Sequence, residues 1–281
     1  MSVAAIAQRA TAAALRLRAD NGRDLSMPLC PYDLALDIGI EVRFEPIPSL
    51  EGIYRAGPSP VIILGSLRSR GRKAYSCAHE LGHHALGHGT RVDELLDGAS
   101  ARFDPDEYAA DRFASALLMP KSAVDAAFAR RGSGVATARP EEVFAVAGYL
   151  GVGYTTLVGY LERTLGTLPG PRAAELRRHS PKSLRQRLFR DGHDGGVLVV
   201  DEAWRNRPID AEVGDVILAK NLGAVRGDCL APEGRDVVRA VRAGEGTIDV
   251  GASSAAVRVS RKEYRGLAEY RHLEDPDDSR P

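Results

Sequence analysis

Residues 77–88 read CAHELGHHALGH and hold four of the chain's seven histidines within ten positions. Inside this stretch His79-Glu80-Leu81-Gly82-His83 is an HExxH pattern. On a helix, residues four apart differ by roughly 40° around the axis, so His79 and His83 share a face and can aim ring nitrogens at one ion. Glu80 stands roughly 100° round from His79, too far to be the natural third ligand but within reach of a water beside the metal. Zn²⁺ lowers the pKa of such a water towards ~7, and a carboxylate there can take its proton and pass it to a leaving amine. The chemistry implied is peptide hydrolysis with Glu80 as general base. A bare five-residue pattern also fits an ordinary surface helix, so further ligands decide the matter.

Working outward towards the C-terminus, Asp104-Pro105-Asp106-Glu107 opens a second helix with an acidic cap and a proline at its first position. The apolar run 113–119 continues it and Pro120 stops it. Glu107 would complete a His₂Glu set, a recognised catalytic zinc arrangement. Asp111, one turn later on the same face, could accept a hydrogen bond from a ligating histidine's other nitrogen and fix its tautomer. Two alternatives stand beside this reading. Asp104 with Glu107 makes a capping-box-like pattern that has a local purpose of its own, and Asp106 competes as the carboxylate ligand, although it lacks a partner four residues onward. His88, five residues past His83, falls on another face of a continuing helix and is expected to pack or hydrogen-bond; His84 is expected to be exposed and Cys77 to lie in the core. Tyr54, Tyr75 and Arg72 are candidates for stabilising an oxyanion, with nothing to single one out.

Upstream, apolar residues recur at helical spacing from Val3 to Ala19 before Asn21-Gly22, and 31–38 reads as a second helix ending at Gly39. Residues 42–44, 52–55 and 61–64 read as strands of a small sheet, and 74–86 as the helix that carries the motif. The 52–64 hairpin could offer an edge to an extended peptide. The chain has 281 residues, 44% of them apolar, which is enough for a substantial core and for one to three domains. Its 38 basic and 38 acidic residues cancel, so attachment to nucleic acid by global charge is excluded and any such case rests on one segment. Cys30, Cys77 and Cys229 are far apart with no CxxC pair, which excludes a disulfide framework and a cysteine zinc site. No apolar run approaches the ~18 residues of a membrane span, and a cytoplasmic chain with no membrane partner is expected.

Downstream, 140–150 and 154–165 are short helical patterns joined by Gly151-Val152-Gly153, the spacing of a helix-turn-helix and equally of a tight structural hairpin. Residues 172–190 carry seven basic residues against Glu175 and read as a linker with short helices; a weak DNA contact through 154–190 is the partner this stretch suggests. From 195 to 259 the β-rich runs 197–200, 213–218, 237–241 and 256–259 form a small domain, with Trp204 and His193 as packing residues, and the tail 274–281 is expected to be disordered. The expected fold class is α+β, divided into a metallopeptidase segment 1–130, a helical segment with basic linker 131–192 and a β-rich segment 193–281.

AHELGHHALGH followed by EYAADRFASALLMP resembles the ImmA/IrrE family of bacterial and phage zinc metallopeptidases over about residues 28–165, and GIYRAGPSPVIILG and RKAYSCAHE resemble the strands and aromatic residue that precede the family's metal helix. The resemblance implies a gluzincin-like minimal peptidase fold with a helix-turn-helix-like segment after it. It implies His79, His83 and Glu107 as zinc ligands, Glu80 as base, and Asp111 where the family commonly has asparagine or aspartate. It implies as substrate a helix-turn-helix repressor of the XRE type, cleaved so that repressed genes are released in phage-like induction or stress responses. The β-rich segment is too short to equate with the sensor-like domain of some relatives. The rival expectation from another class is a DNA-associated regulatory module in which any metal only organises the fold.

Overall fold

The computed structural model describes residues 2–94, 103–189, 195–205 and 207–273. The architecture is α+β. In chain order the elements are α1 (Val3–Asp20), α2 (Pro31–Asp37), β1 (Glu41–Glu45), β2 (Leu50–Arg55), β3 (Val61–Gly65), α3 (Arg70–Leu86), β4 (Arg91–Glu94), α4 (Pro105–Leu118), α5 (Lys121–Ala129), α6 (Pro140–Leu150), α7 (Tyr154–Arg163), α8 (Gly170–Arg177) and α9 (Pro181–Leu188). Then follow β5 (Val197–Val200), β6 (Ile209–Glu212), β7 (Val216–Ala219), β8 (Leu222–Arg226), β9 (Leu230–Pro232), β10 (Val237–Ala240), β11 (Gly244–Val250), β12 (Ser253–Ser260) and β13 (Gly266–Leu267). The described residues fall into two compact units, one drawn from Met1–Ala127, Leu150–Gly153 and Arg265–Glu269, the other from Phe128–Tyr149, Tyr154–Tyr264 and Tyr270–Pro281.

The first unit is a five-stranded sheet with helices against it, in the order β13-β1-β3-β2-β4. Alternation in β1 buries Val42 and Phe44 and exposes Glu41 and Arg43, whereas β3, at the centre of the sheet, is buried at four of five positions. Strands β1 and β3 are parallel, and β2 runs antiparallel to both β3 and β4. Neither strand of the 52–64 hairpin therefore has an open edge: β2 is flanked on both sides, and the edge expected there belongs to β4. Residues 265–269, within the segment read from sequence as the third part, supply β13, whose Gly266 and Leu267 pair with Phe44 and Arg43.

Helix α3 packs against β2 and β3 on one side and against α1 and α4 on the other. Cys77, Ala78 and Leu81 of α3, Ile62 and Leu64 of β3, and Phe113 and Leu117 of α4 are all fully buried where these elements pack together. Burying a leucine or phenylalanine side chain contributes about 1.5–3 kcal/mol, so this core fixes the helix that carries the motif. α1 buries Ile6, Ala10, Ala14 and Arg18, each four residues after the last, and Ser2 caps its first turn. Arg18 is fully buried because it donates to the carbonyls of Leu117 at 2.6 Å, Asp24 and Met27, closing the C-terminal end of α4 and the loop after α1.

In the second unit α6 and α7 meet at a bend of 99°. The basic stretch forms α8 and α9, and three of its arginines are partnered by acids: Arg172 by Glu175, Arg177 by Glu162 and Arg187 by Glu141. Two four-stranded sheets follow, β5-β7-β10-β9 and β6-β12-β11-β8. Trp204 is buried edge-on to Tyr149 at 5.3 Å, with Arg207 over both rings, so its packing role holds. Asp210 is bound by Arg258 through two hydrogen bonds of 2.8 and 3.0 Å. Burial acts to raise its carboxyl's pKa, but the charges of Arg258 and Arg271 outweigh that and leave it lowered. His193, Arg190 and the 274–281 tail lie outside the described residues. Among the described residues no single helix is long and apolar enough to cross a membrane. Cys77 lies in the core as expected.

Candidate metal centre

Helix α3 starts after Ser69, one turn earlier than apolar spacing predicts, and ends in a Schellman turn. Gly87 adopts φ 73°, the left-handed conformation glycine tolerates, so that Gly87 N–H donates to the His84 carbonyl at 3.2 Å and His88 N–H to that of His83 at 3.0 Å. The chain therefore folds back over its own last turn, and His88 comes to rest against His83 instead of on a far face of a longer helix.

The partner helix α4 begins at Asp104, whose side chain accepts from the amides of Asp106 at 2.8 Å and Glu107 at 3.4 Å. The capping purpose seen in the sequence is thus carried by the aspartate, which leaves the Glu107 carboxylate free of that duty. α4 can approach α3 because Gly82 has no side chain at the crossing: a Cβ there would stand 3.1 Å from the Ala110 Cα and 3.2 Å from the Phe113 Cβ. This close approach brings the first turns of α4 over the histidines.

There His79, His83 and Glu107 form a group that could hold a metal ion, with one ligand atom from each all within 4.8 Å of one another. Nε2 of His83 lies 3.0 Å from Nε2 of His79, which in turn lies 3.1 Å from Glu107 Oε2, while Glu107 Oε1 is 3.6 Å from His83 Nε2. Both histidines are buried. Hydrogen bonds from His79 and His83 hold the Glu107 carboxyl well below the usual carboxylate range, against the opposing effect of burial. The adjacent Asp106 points elsewhere, towards His88 Nε2 at 3.4 Å and in an ion pair with Arg91. Of the two carboxylates left open by the sequence, Glu107 is the one that stands with the histidines. Asp111 Oδ1 lies 3.1 Å from Nδ1 of His79, on the ring edge away from the cluster.

Glu80 is 1% exposed and turns towards β2, where the side chain it needs room for is accommodated by a glycine. A Cβ on Gly52 would lie 2.1 Å from the Glu80 Oε1 and 2.9 Å from its Cδ. β2 is also irregular at this point, its register with β4 shifting between Leu50 and Gly52, as bulges beside functional sites do. The atom displaced by a methyl group at 52 is the tip of a flexible side chain, so Gly52→Ala is expected to cost little stability and to move the carboxylate. A misplacement of about 1 Å in a reacting group lowers turnover roughly 10²-fold. Gly52→Ala is expected to keep its metal content and melting temperature while losing turnover on that scale, measured by elemental analysis, calorimetry and a cleavage assay.

Among the oxyanion candidates, Tyr54 shares a hydrogen bond of 2.8 Å between its hydroxyl and Nδ1 of His84, and Tyr75 contacts Ser115 Oγ at 3.1 Å and the Asp111 carbonyl at 3.3 Å. Burial raises the pKa of both phenols, so they stay protonated. Arg72 donates to Glu51 at 2.8 Å. His84 is half-buried against Tyr54, not exposed as expected, and burial lowers its pKa. Gly52, Gly82 and His88 are the residues the sequence reading did not assign to the site. The signal for Gly82 was a glycine in a helix interior, where it costs about 1 kcal/mol and so points to a packing purpose.

Residues 35–159 match the family model Peptidase_M78, described as the IrrE N-terminal-like domain. No curated protein matches the chain.

Proposed function

We propose that the chain is a zinc-dependent endopeptidase with ligands His79, His83 and Glu107 and Glu80 as the base, a reading supported by the match of residues 35–159 to the Peptidase_M78 family model and by the His79, His83 and Glu107 group. The observation that carries this reading is the convergence of two ring nitrogens and one carboxylate at 3.0, 3.1 and 3.6 Å. Donors around a tetrahedral Zn²⁺ at its usual bond lengths are about 3.3 Å apart, so the three groups are already spaced for it. Two imidazoles and a carboxylate are a zinc donor set, and three protein donors leave the fourth position to water or substrate.

Zinc supplies a water acidic enough to ionise near neutral pH and a charge that polarises the scissile carbonyl. The chain's own residues do the rest. Glu80 accepts the proton of the attacking water on a carboxylate oxygen and returns it to the leaving amine, which lets a stable amine depart. Asp111 accepts from Nδ1–H of His79 and so keeps its Nε2 lone pair turned to the cluster. The exposed side of β4, which ends the sheet among the described residues, is where an extended peptide can add as a further strand.

The substrate proposed is a helix-turn-helix repressor, whose cleavage in the cytoplasm would release repressed genes. This assignment, with the gluzincin-like fold and a helix-turn-helix-like second segment, rests on the family resemblance. A second reading, DNA association through 154–190, is favoured by the 99° bend of α6 and α7, within the range of DNA-binding helix pairs. It is weakened by α7 burying Tyr154, Leu157, Val158, Tyr160 and Leu161, and by the acids that partner Arg172, Arg177 and Arg187. The test is incubation of the zinc-loaded protein with helix-turn-helix repressors encoded beside its gene. Scission at one bond, stopped by a chelator and restored by zinc, is the expected result. Repressors left whole by a zinc-loaded protein would overturn the substrate, and salt-dependent DNA binding that persists in Glu80→Gln would favour the second reading.

A further inference from the structure

Beyond the ligands themselves, we propose that His88 is a positioning residue which, backed by Asp106 and Arg91, fixes the ring of His83 for the metal; this rests on the zinc reading above. A metal takes the lone pair of one imidazole nitrogen, and the other nitrogen of the neutral ring then carries the proton. For His83 the nitrogen facing His79 and Glu107 is Nε2, so the proton belongs on Nδ1. That atom lies 2.9 Å from Nδ1 of His88. His88 Nδ1 must then be the bare acceptor, which puts its own proton on Nε2, and Nε2 faces Asp106 Oδ1 at 3.4 Å. Asp106 is held in turn by Arg91 of β4. This choice of tautomer for the two rings satisfies the contacts from His83 Nδ1 through His88 to Asp106 and leaves the Nε2 lone pair of His83 for the metal, whereas the opposite choice on His83 would set the bare Nε2 of His88 against the Asp106 carboxylate.

The two histidine ligands are consequently backed in different ways. His79 meets a carboxylate directly at Asp111, whereas His83 meets one through a second imidazole. Neighbouring residues of the first turn of α4 divide the work, Glu107 reaching the ligand atoms and Asp106 the far end of the series. The arrangement depends on the left-handed turn at Gly87, which returns His88 to the last turn of α3.

The test is the zinc dissociation constant of the full chain, by competition with a chelator, for wild type, His79→Ala, His88→Leu, His88→Gln and Asp106→Asn. The visible spectrum of the cobalt-substituted proteins is recorded beside it. Loss of such a partner weakens metal binding about 10–100-fold, which is the expectation for His88→Leu, with a shifted cobalt spectrum. Glutamine can accept at Oε1 and donate at Nε2, so His88→Gln is expected to recover most of the affinity, and Asp106→Asn to weaken it less than His88→Leu. A purely structural role would lower the melting temperature of the metal-free protein and leave the cobalt spectrum of the folded fraction alone. Should His88→Leu fail to fold, Asp106→Asn and His88→Gln carry the comparison. Wild-type affinity and spectrum in the His88 and Asp106 variants, with His79→Ala unable to bind, overturn this proposal alone. A wild type that takes no zinc, or a His79→Ala that binds as tightly as wild type, overturns the zinc reading and the proposal with it.

Discussion

Glu80→Gln is expected to bind one equivalent of zinc and to hydrolyse its substrate 10²–10⁴-fold more slowly than the wild type, the usual contribution of a positioned general base. Glutamine has the shape of glutamate, so the space between α3 and Gly52 is filled as before and the fold is preserved. What it lacks is an oxygen that can take a proton at neutral pH. Because Glu80 stands about a third of a turn from His79, it is not placed to complete the ligand set, and metal content should not follow its charge. Elemental analysis and single-turnover cleavage of the same preparations separate the two effects. Full activity in Glu80→Gln would sink the mechanism, and loss of zinc would make Glu80 a ligand. Comparison with Gly52→Ala sharpens the result: there the carboxylate is retained but displaced, so the rate should fall while the proton-accepting group remains.

The parts of this site that can be seen in the sequence are those set by one helix. The spacing of His79, Glu80 and His83 fixes their directions locally, and Asp104-Pro105 announces α4. The choice between Asp106 and Glu107 could not be made locally, because adjacent residues diverge by roughly 100° and which of them faces α3 depends on a helix crossing set by Gly82 and Ala110. His88 hydrogen-bonds, as its sequence suggests, but on a different face for a related reason: an extended helix sends it away from His83, whereas Gly87 ends the helix and reverses the chain. The fold shows the same division. The long amphipathic helices and the alternating or apolar strands β1, β3, β5 and β10 follow their patterns. β4 is four residues with three charges, β13 is two residues, and β8 is largely exposed, so none has a signal of its own, and each is a strand because of a partner far along the chain.

His79→Ala and Glu107→Ala are expected to lose both zinc and activity, and with them the dependence of stability on the metal. The wild-type site brings together two buried imidazoles and a carboxylate already held in its ionised form. An ion that binds the folded chain alone stabilises it by RT ln(1 + [L]/Kd), about 2.7 kcal/mol at a hundredfold excess over Kd. For a unit of this size that is a rise of roughly 5–10 °C in melting temperature. Removing one ligand leaves two donors, too few to hold the ion against a chelator, so the melting curve of either variant should be the same with and without zinc. The two variants should differ in the absence of metal. The Glu107 carboxylate lies 3.1 Å from His79 Nε2 and 3.6 Å from His83 Nε2, so its loss leaves two buried rings facing each other at 3.0 Å without the charge beside them, whereas the loss of His79 leaves Glu107 its contact with His83. Calorimetry of wild type and both variants, stripped and zinc-loaded, measures all of this at once. A zinc-dependent shift that survives in Glu107→Ala would assign the third ligand to another carboxylate, and Asp106→Ala would then be the variant to abolish it.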